Sequence, residues 1–127
     1  MFSHVVVGTN DLENARRFYD AVLATLGHGK GQLRAKGDYL YLSDGASFIV
    51  TRPIDDRPAS HANGGTIGFV CRSKEQVDLW HAAGLAHGGK SVEDPPGVRI
   101  TEAGPLYVAY MRDPDGNKLC AVHSPAS

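Results

Sequence analysis

The sequence contains one pattern of apolar residues twice, and this repetition constrains the fold more than any other feature. Residues 66–89 reproduce the pattern of residues 4–27 at an offset of 62 (66 − 4). The matched pairs each join two apolar residues or two glycines: Val5 and Ile67, Val7 and Phe69, Ala15 and Val77, Phe18 and Trp80, Leu23 and Leu85, Gly27 and Gly89. Because duplicated units can arrange equivalent positions around one shared cavity, we expect a functional site there.

Each copy has the signals of a strand, a helix and then shorter strands. In the first copy, the β-branched run Ser3–Gly8 predicts a strand, and Asn10 or Asp11 is the expected helix cap. Gly27 should end the helix, since a residue without Cβ suits a left-handed C-terminal position. The later strands are predicted at Gln32–Lys36, Asp38–Leu42 and Ala46–Arg52.

The second copy repeats this order after a linker at residues 53–63 that holds two prolines and several turn-forming residues. Ser73 is the expected cap of its helix, with Val77, Trp80, Gly84 and Leu85 on the buried side. Its strands are predicted at Gly65–Cys71, Pro105–Arg112 and Asn117–His123, with a long loop over Lys90–Gly104. The sequence therefore predicts one α+β domain, residues 1–127, of two β-α-β-β-β modules. The modules, residues 1–52 and 64–127, should form a curved mixed sheet with helices on its outer face.

Charge and composition exclude several classes of partner. The 127 residues include 13 basic and 14 acidic side chains, a net charge of −1 that gives no reason to expect nucleic acid or an anionic membrane. No apolar run approaches the roughly 20 residues of a membrane helix, and residues 1–4 lead straight into a strand. Two cysteines are too few for a secreted disulfide scaffold. A cytoplasmic location is the expectation.

Several local motifs resemble one superfamily across essentially the whole chain. His4-Val5-Val6-Val7, followed by Asp11-Leu12 and Phe18-Tyr19, is similar to the opening strand and helix of the vicinal oxygen chelate superfamily. Asp113-Pro114-Asp115-Gly116-Asn117 is similar to the turn before its last strand, and residues 81–107 resemble a glyoxalase-like branch. This superfamily includes glyoxalase I, bleomycin-resistance proteins and extradiol dioxygenases. The resemblance implies the fold, but not one reaction, because the fold hosts many activities.

In metal-dependent members, the ligands lie on the first and last strand of each module. The resemblance carries these positions over to His4, Ile49, Thr66 and Cys120. Only His4 matches the expected ligand. Ile49 stands in place of a carboxylate or amide, Thr66 in place of a histidine, and Cys120 in place of a glutamate. The standard metal site is therefore expected to be absent, and no cofactor is predicted. A divalent ion (zinc, nickel, iron or manganese) held by His4 with further donors is the alternative.

The same residues have other readings, which the sequence leaves open. Without a metal, His4 is either a general acid–base group or a hydrogen-bonded polar residue of the pocket. Cys120 is either a nucleophile or, more in keeping with its type, a small buried hydrophobe. Tyr107 offers aromatic area and a phenol to a ligand, although ordinary sheet packing explains it too. Arg99, in the long loop, is a candidate for closing over a bound molecule.

Two classes of function follow for a small organic ligand in the cavity. The first is an enzyme, such as a lactoylglutathione lyase-like lyase or isomerase or a dioxygenase, with His4 as catalytic residue or sole retained ligand. The second is a metal-free protein that binds or sequesters its ligand, which the missing carboxylates favour. A regulatory module with a vestigial cavity is a third reading. The resemblance also implies a homodimer, in which strands of the partner complete each cavity.

Overall fold

The computed structural model describes residues 1–125, which form two modules of the predicted type. The first module contains β1 (His4–Gly8), α1 (Leu12–Ala24), β2 (Gln32–Leu33), β3 (Tyr39–Ser43) and β4 (Ala46–Thr51). The second contains β5 (Ile67–Val70), α2 (Lys74–Ala86), β6 (Lys90–Ser91), β7 (Gly97–Thr101), β8 (Gly104–Arg112) and β9 (Lys118–His123). Neither α1 nor α2, the helices found within residues 1–125, has the length and apolar character needed to cross a membrane.

Each module builds its own mixed sheet. In sheet A the strand order is β1-β4-β3-β2, with β1 parallel to β4 and the other pairs antiparallel. In sheet B the order is β5-β9-β8, with β5 parallel to β9, and both β6 and β7 pair with β8. The predicted α+β class is confirmed, and the strands divide into two sheets, one for each module.

The two helices begin and end at equivalent positions of the repeat, as the apolar pattern predicts. Both bounds of α2 follow those of α1 by 62 residues (74 − 12 and 86 − 24). The cap of α1 is Asp11, whose carboxylate accepts from the Asn14 amide at 3.0 Å. Ser73 caps α2 in the same way, accepting from the Gln76 amide at 3.1 Å. Short polar side chains thus supply acceptors for helix amides that have no partner within the helix.

The helix-bearing faces of both sheets share one hydrophobic core. Phe48 of sheet A and Phe69 of sheet B lie in edge contact, with ring centroids 5.7 Å apart. Further members from both modules are Val7, Phe18, Tyr19, Val50, Val77, Trp80, Ala109, Met111, Leu119 and Ala121. The predicted burial of Leu85 is wrong: it is 43% exposed, whereas the equivalent Leu23 is 2% exposed. His81 and Gly84 lie on the buried stripe of α2, and Leu85 falls outside it.

The segment Lys90–Gly104, predicted to be a long loop, is partly strand. β7 pairs with β8 along five residues, from Gly97 opposite Val108 to Thr101 opposite Gly104. Prolines at 95 and 96 suggested a loop, while the β-branched run from Val98 to Thr101 was the signal for the strand. Residues 97–101 form a strand because they pair with β8. The loop prediction considered only the residues of the segment itself and so did not take this pairing into account.

The turn after β8 joins the second module to the first. Asp113, 4% exposed, accepts the hydroxyl of Tyr19 from α1. It also accepts the backbone amides of Asp115 and Asn117 at 2.9 Å and the Asn117 side-chain amide at 2.8 Å. That amide reaches the carbonyl of Gly8 at 3.2 Å. Burial raises the pKa of the Asp113 carboxyl, while the four donated hydrogen bonds act in the opposite direction.

Close approach of α2 to its surroundings requires a glycine at position 89. A Cβ there would lie 2.9 Å from the Gly84 carbonyl oxygen, 2.9 Å from the Phe18 ring and 3.2 Å from the Arg112 carbonyl oxygen. Two of these neighbours are backbone atoms, which cannot rotate away as a flexible side chain does. We therefore expect that Gly89→Ala lowers the free energy of unfolding by about 2 kcal/mol, the usual cost of overpacking.

Gly29→Ala is the matched control, because a Cβ at Gly29 meets nothing within 4 Å. It should leave the free energy of unfolding unchanged or raise it by about 0.5 kcal/mol, because alanine lowers the conformational entropy of the unfolded chain. Urea denaturation of the three proteins at one protein concentration measures both effects. Equal stabilities of the two alanine variants would contradict the tight packing at Gly89.

The buried imidazole of His81 should make stability depend on pH. His81 is 8% exposed, and its Nε2 lies 3.0 Å from the Ser91 hydroxyl. Burial lowers the pKa of His81, with the nearby Asp78 carboxylate opposing the shift. Below about pH 6.5 the imidazole therefore binds a proton more readily in the unfolded chain than in the folded chain. The contribution of the buried neutral imidazole to folding stability is present above that pH and is lost as the pH falls.

We predict that the stability advantage of the unmodified protein over His81→Gln shrinks as the pH falls from about 7.5 to 5.5. Ser91→Ala is the companion variant: it should lower stability but keep the pH dependence, since the buried imidazole remains. Urea denaturation at three pH values tests this. Parallel pH profiles for the unmodified protein and His81→Gln would contradict the prediction.

Candidate functional site

The face of sheet A that does not carry α1 holds two of the residues singled out from the sequence. We call it the open face of sheet A. Strand register places Val6 opposite Ile49 and Ile49 opposite Leu40, so these three side chains form one row across the sheet. His4 and Thr51 lie on the same face, two residues from Val6 and Ile49 along their strands. A groove of about 410 Å³ covers this face, and its lining residues are Ser3, His4, Val6, Arg34, Lys36, Asp38, Leu40, Ser47, Ile49 and Thr51.

The predicted residues His4 and Ile49 therefore share one groove, in different environments. The imidazole of His4 is exposed, and its Nδ1 lies 2.6 Å from the Ser3 hydroxyl. Ile49 is only 8% exposed, in the middle of the apolar row. The groove thus combines an apolar floor with a polar group at its edge, the usual composition of a site for a small organic molecule.

A charged cluster at the other edge of the groove was missed by the sequence analysis. Arg34 donates to both carboxylate oxygens of Asp38, each at 2.6 Å, and Lys36 lies 3.6 Å from the same carboxylate. The Arg34 guanidinium holds the pKa of the Asp38 carboxyl below its usual value. Two cations face one carboxylate, so the cluster keeps a positive charge. The signal in the sequence was the run Arg34-Ala35-Lys36-Gly37-Asp38, which places three charges within one turn between strands.

The open face of sheet B, opposite the face that carries α2, holds Cys120 and Arg99, and Thr66 lies just before its strand β5. Cys120 lies between Gly68 of β5 and Tyr110 of β8 in the strand register. Thr66 precedes β5 and is exposed, two residues before Gly68. Arg99 of β7 pairs with Leu106, which by alternation lies on the same face as Tyr110. Leu119 and Ala121, the neighbours of Cys120 in β9, point to the other face and are fully buried in the core.

The environment of Cys120 favours the thiol over the thiolate. Cys120 is 7% exposed, and burial raises its pKa, with the Glu93 carboxylate adding to the effect. Lys118 acts in the opposite direction, but it forms an ion pair with Glu93. A thiol with a raised pKa is a poor nucleophile, so this environment agrees with a small packed side chain.

Tyr107 lies apart from the other predicted pocket residues. Its hydroxyl donates to the Asp78 carboxylate of α2 at 2.8 Å, and the Lys74 ammonium lies 5.8 Å from its ring centroid. Both partners belong to α2, so Tyr107 is on the helix-bearing face of sheet B. Counting alternation along β8 from Tyr110 would have given this side. Arg99 donates to the carbonyl oxygens of Asp94 and Pro95, at 2.9 and 3.0 Å, and so binds its own loop.

The residues at the four standard ligand positions do not fit a divalent metal ion. His4 and Ile49 belong to the open face of sheet A, whereas Cys120 belongs to sheet B and Thr66 lies just before β5. The groove around His4 is lined by residues 3–51 alone. Ile49 offers no donor atom, and Thr66 offers only a neutral hydroxyl. Across residues 1–125, no group of three or more His, Cys, Asp or Glu side chains lies close enough to hold a metal. Such an ion needs at least three fixed donors.

A further cavity lies between the modules, next to the outermost strands β1 and β5. It measures about 490 Å³, and none of the site residues predicted from the sequence lines it. Its aromatic lining residues are Phe2, Tyr41, Phe48 and Phe69. Phe2 and Val70, which also line it, are 69% and 86% exposed.

Comparison with known proteins agrees with this architecture. The sequence profile of the Glyoxalase/Bleomycin resistance protein/Dioxygenase superfamily matches residues 1–121. The chain is similar to the crystal structure of a glyoxalase/bleomycin resistance protein from Albidiferax ferrireducens T118, with 54% identity, a TM-score of 0.94 and coverage of 98% of this chain and 99% of that one. It shares its fold with a lactoylglutathione lyase from Agrobacterium tumefaciens at 21% identity, TM-score 0.65 and coverage of 96% and 92%. No curated protein gives a significant match.

Proposed function

Because the chain belongs to the glyoxalase/bleomycin resistance protein/dioxygenase superfamily, we propose that it binds a small oxygenated organic molecule in the groove of sheet A, without a metal at the standard positions. The observation that carries this proposal is the apolar row at the centre of the groove. Ile49, which replaces the expected ligand, completes a floor with Val6 and Leu40. Such a floor suits the hydrocarbon part of a ligand.

The edges of the same groove supply donors for the oxygen atoms of the ligand. His4 lies at one edge, and Lys36, whose side chain is 69% exposed, lies near the other. A molecule with an apolar body and a carboxylate or carbonyl group would contact the floor and these donors together. Pockets of this kind gain affinity from apolar burial and orientation from a few polar groups.

We expect phenylpyruvate and salicylate, as probes, to raise the melting temperature in the presence of EDTA. Leu40→Asn, which places an amide in the apolar floor, should weaken binding about tenfold, because it removes roughly 1.4 kcal/mol of apolar contact. Thermal shift and isothermal titration calorimetry measure both effects. Leu79→Asn is the matched control, because Leu79 is 60% exposed on α2, away from the groove.

An enzymatic function would give a different result. Nickel- or zinc-dependent turnover of the hemithioacetal of methylglyoxal and glutathione, lost in His4→Ala, would replace the proposal with a lyase. Equal weakening by Leu40→Asn and Leu79→Asn would mean that the probes bind elsewhere.

We also propose that the protein is a homodimer in which the partner's strands continue these sheets. Among the strands within residues 1–125, β1 pairs only with β4 and β5 pairs only with β9, so each has an open edge. Apolar side chains are exposed beside these edges: Val6 is 48% exposed and Val70 is 86% exposed. Val5 of β1 and Val70 of β5 also line the cavity between the modules. An open edge flanked by apolar surface is a common site of association.

Val70→Lys should convert the dimer into a monomer, since a lysine at an open strand edge opposes pairing with another strand. Ile54→Lys is the control for an equal change of charge, because Ile54 is 102% exposed in the linker, outside both sheets. Light scattering coupled to size-exclusion chromatography gives the mass of each protein. A monomeric unmodified protein would refute the dimer, and a monomeric Ile54→Lys would refute the proposed location.

The cytoplasm remains the proposed location. Cys71 and Cys120 are both free, as expected in a reducing compartment. Burial also raises the pKa of Cys71 to about 11, which keeps it as a thiol at neutral pH.

A further inference from the structure

A second groove is lined by residues of α1 and of the segments that follow the C-terminal ends of both helices. We call it the outer groove. It measures about 340 Å³, and the lining residues used here are Arg17, Ala21, Ala24, His28, Lys30 and His87. Ala21 and Ala24 lie about one turn apart on α1, and their short side chains leave room for a ligand. None of these residues lines the groove of sheet A, so the two sites are separate.

The carboxylate of Asp20 in the outer groove already has partners at both oxygen atoms. Arg16 donates to Asp20 Oδ2 at 3.1 Å and to the Glu13 carboxylate at 3.0 Å. The other oxygen of Asp20 accepts the Tyr41 hydroxyl at 2.7 Å and the Gly31 amide at 2.9 Å. Asp20, the carboxylate among the residues that line this groove, is therefore occupied by these partners.

The remaining cations of the outer groove form no ion pair, although the charge of Arg17 contributes to lowering the pKa of the Glu13 carboxyl. Neither Arg17 nor Lys30 forms an ion pair with any carboxylate of residues 1–125. The imidazoles of His28 and His87 line the same groove, and His87 Nδ1 donates to the Ala83 carbonyl at 2.8 Å. On a chain with a net charge of −1, two cations without an ion pair in one concave site concentrate positive charge.

Stabilisation of helix ends does not account for this arrangement. Cations are favoured near helix C-termini, and Lys30 and His87 follow α1 and α2. However, Arg17 is in the middle of α1, where this effect is weak. The terminal carbonyls also have partners already: Leu23 accepts the His28 amide at 3.0 Å, and Gly84 accepts the Gly89 amide at 2.8 Å.

We propose that the outer groove binds the phosphate group of a small metabolite, held by Arg17 and Lys30. The planar guanidinium of Arg17 matches two phosphate oxygens, and the Lys30 ammonium adds a second positive charge. The volume of about 340 Å³ accommodates a phosphate together with part of an attached organic group. Both modules contribute, because Arg17 and Lys30 belong to the first and His87 to the second.

Isothermal titration calorimetry with inorganic phosphate, pyrophosphate and AMP, at a fixed ionic strength of about 0.15 M, tests the site. Arg17→Gln and Lys30→Gln should each weaken binding about tenfold or more, as expected for a lost charged hydrogen bond. Arg57→Gln removes the same charge from the exposed linker and should leave binding unchanged. Tighter binding of AMP than of the two inorganic probes identifies a phosphate ester as the ligand class, and the reverse order identifies a free phosphate.

Two results would overturn the proposal. The first is that none of the three probes binds the unmodified protein in the low millimolar range. If Lys30→Gln also lowers the folding stability, the role of Lys30 is to stabilise the C-terminal end of α1 and not to bind a ligand. The second is equal weakening by Arg17→Gln and Arg57→Gln, which attributes binding to general charge.

Discussion

Packing of two helix-bearing sheet faces into one core is the constraint from which the rest of the molecule follows. Phe48 and Phe69 make the contact between the sheets, with ring centroids 5.7 Å apart. The glycine at position 89 leaves space for the Phe18 ring, and the Asp113 turn bonds to Tyr19 of the other module. Because apolar burial uses these faces, the opposite faces of both sheets remain open. The outermost strands β1 and β5 also keep one edge unpaired within the described chain.

This arrangement divides the positions that resemble a metal site. His4 and Ile49 lie on the open face of sheet A, and Cys120 lies on that of sheet B. The resemblance implied four side chains around one cavity, which a single chain does not assemble. A second chain that continues each sheet would bring a first module next to a second one. Even then, Ile49 offers no donor atom, so the groove of sheet A is better suited to an apolar ligand surface than to an ion.

The sequence predicted those features that depend on neighbouring residues. Asp11 was one of two expected caps of α1, Ser73 was the expected cap of α2, and Gly27 adopts the expected left-handed conformation with a φ of 89°. Predictions that depended on a distant partner were less successful. Leu85 is exposed although its counterpart in the repeat is buried, since the surroundings of the two helices differ. Tyr107 bonds to Asp78 of α2, so it faces the helix and not the open face of sheet B.

The sequence by itself determined the duplicated modules, their helices and the loss of donors at Ile49 and Thr66, because periodicity and residue chemistry are local properties. Tertiary structure alone decided which residues share a face. Arg34, Lys36 and Asp38 reach the groove of His4 through strand pairing. Arg17 and Lys30 meet at the outer groove because the chain turns back after α1. These contacts depend on strand register and on how the two modules pack. Register and packing are set by the burial of residues that are distant in sequence, and a local sequence pattern does not contain that information.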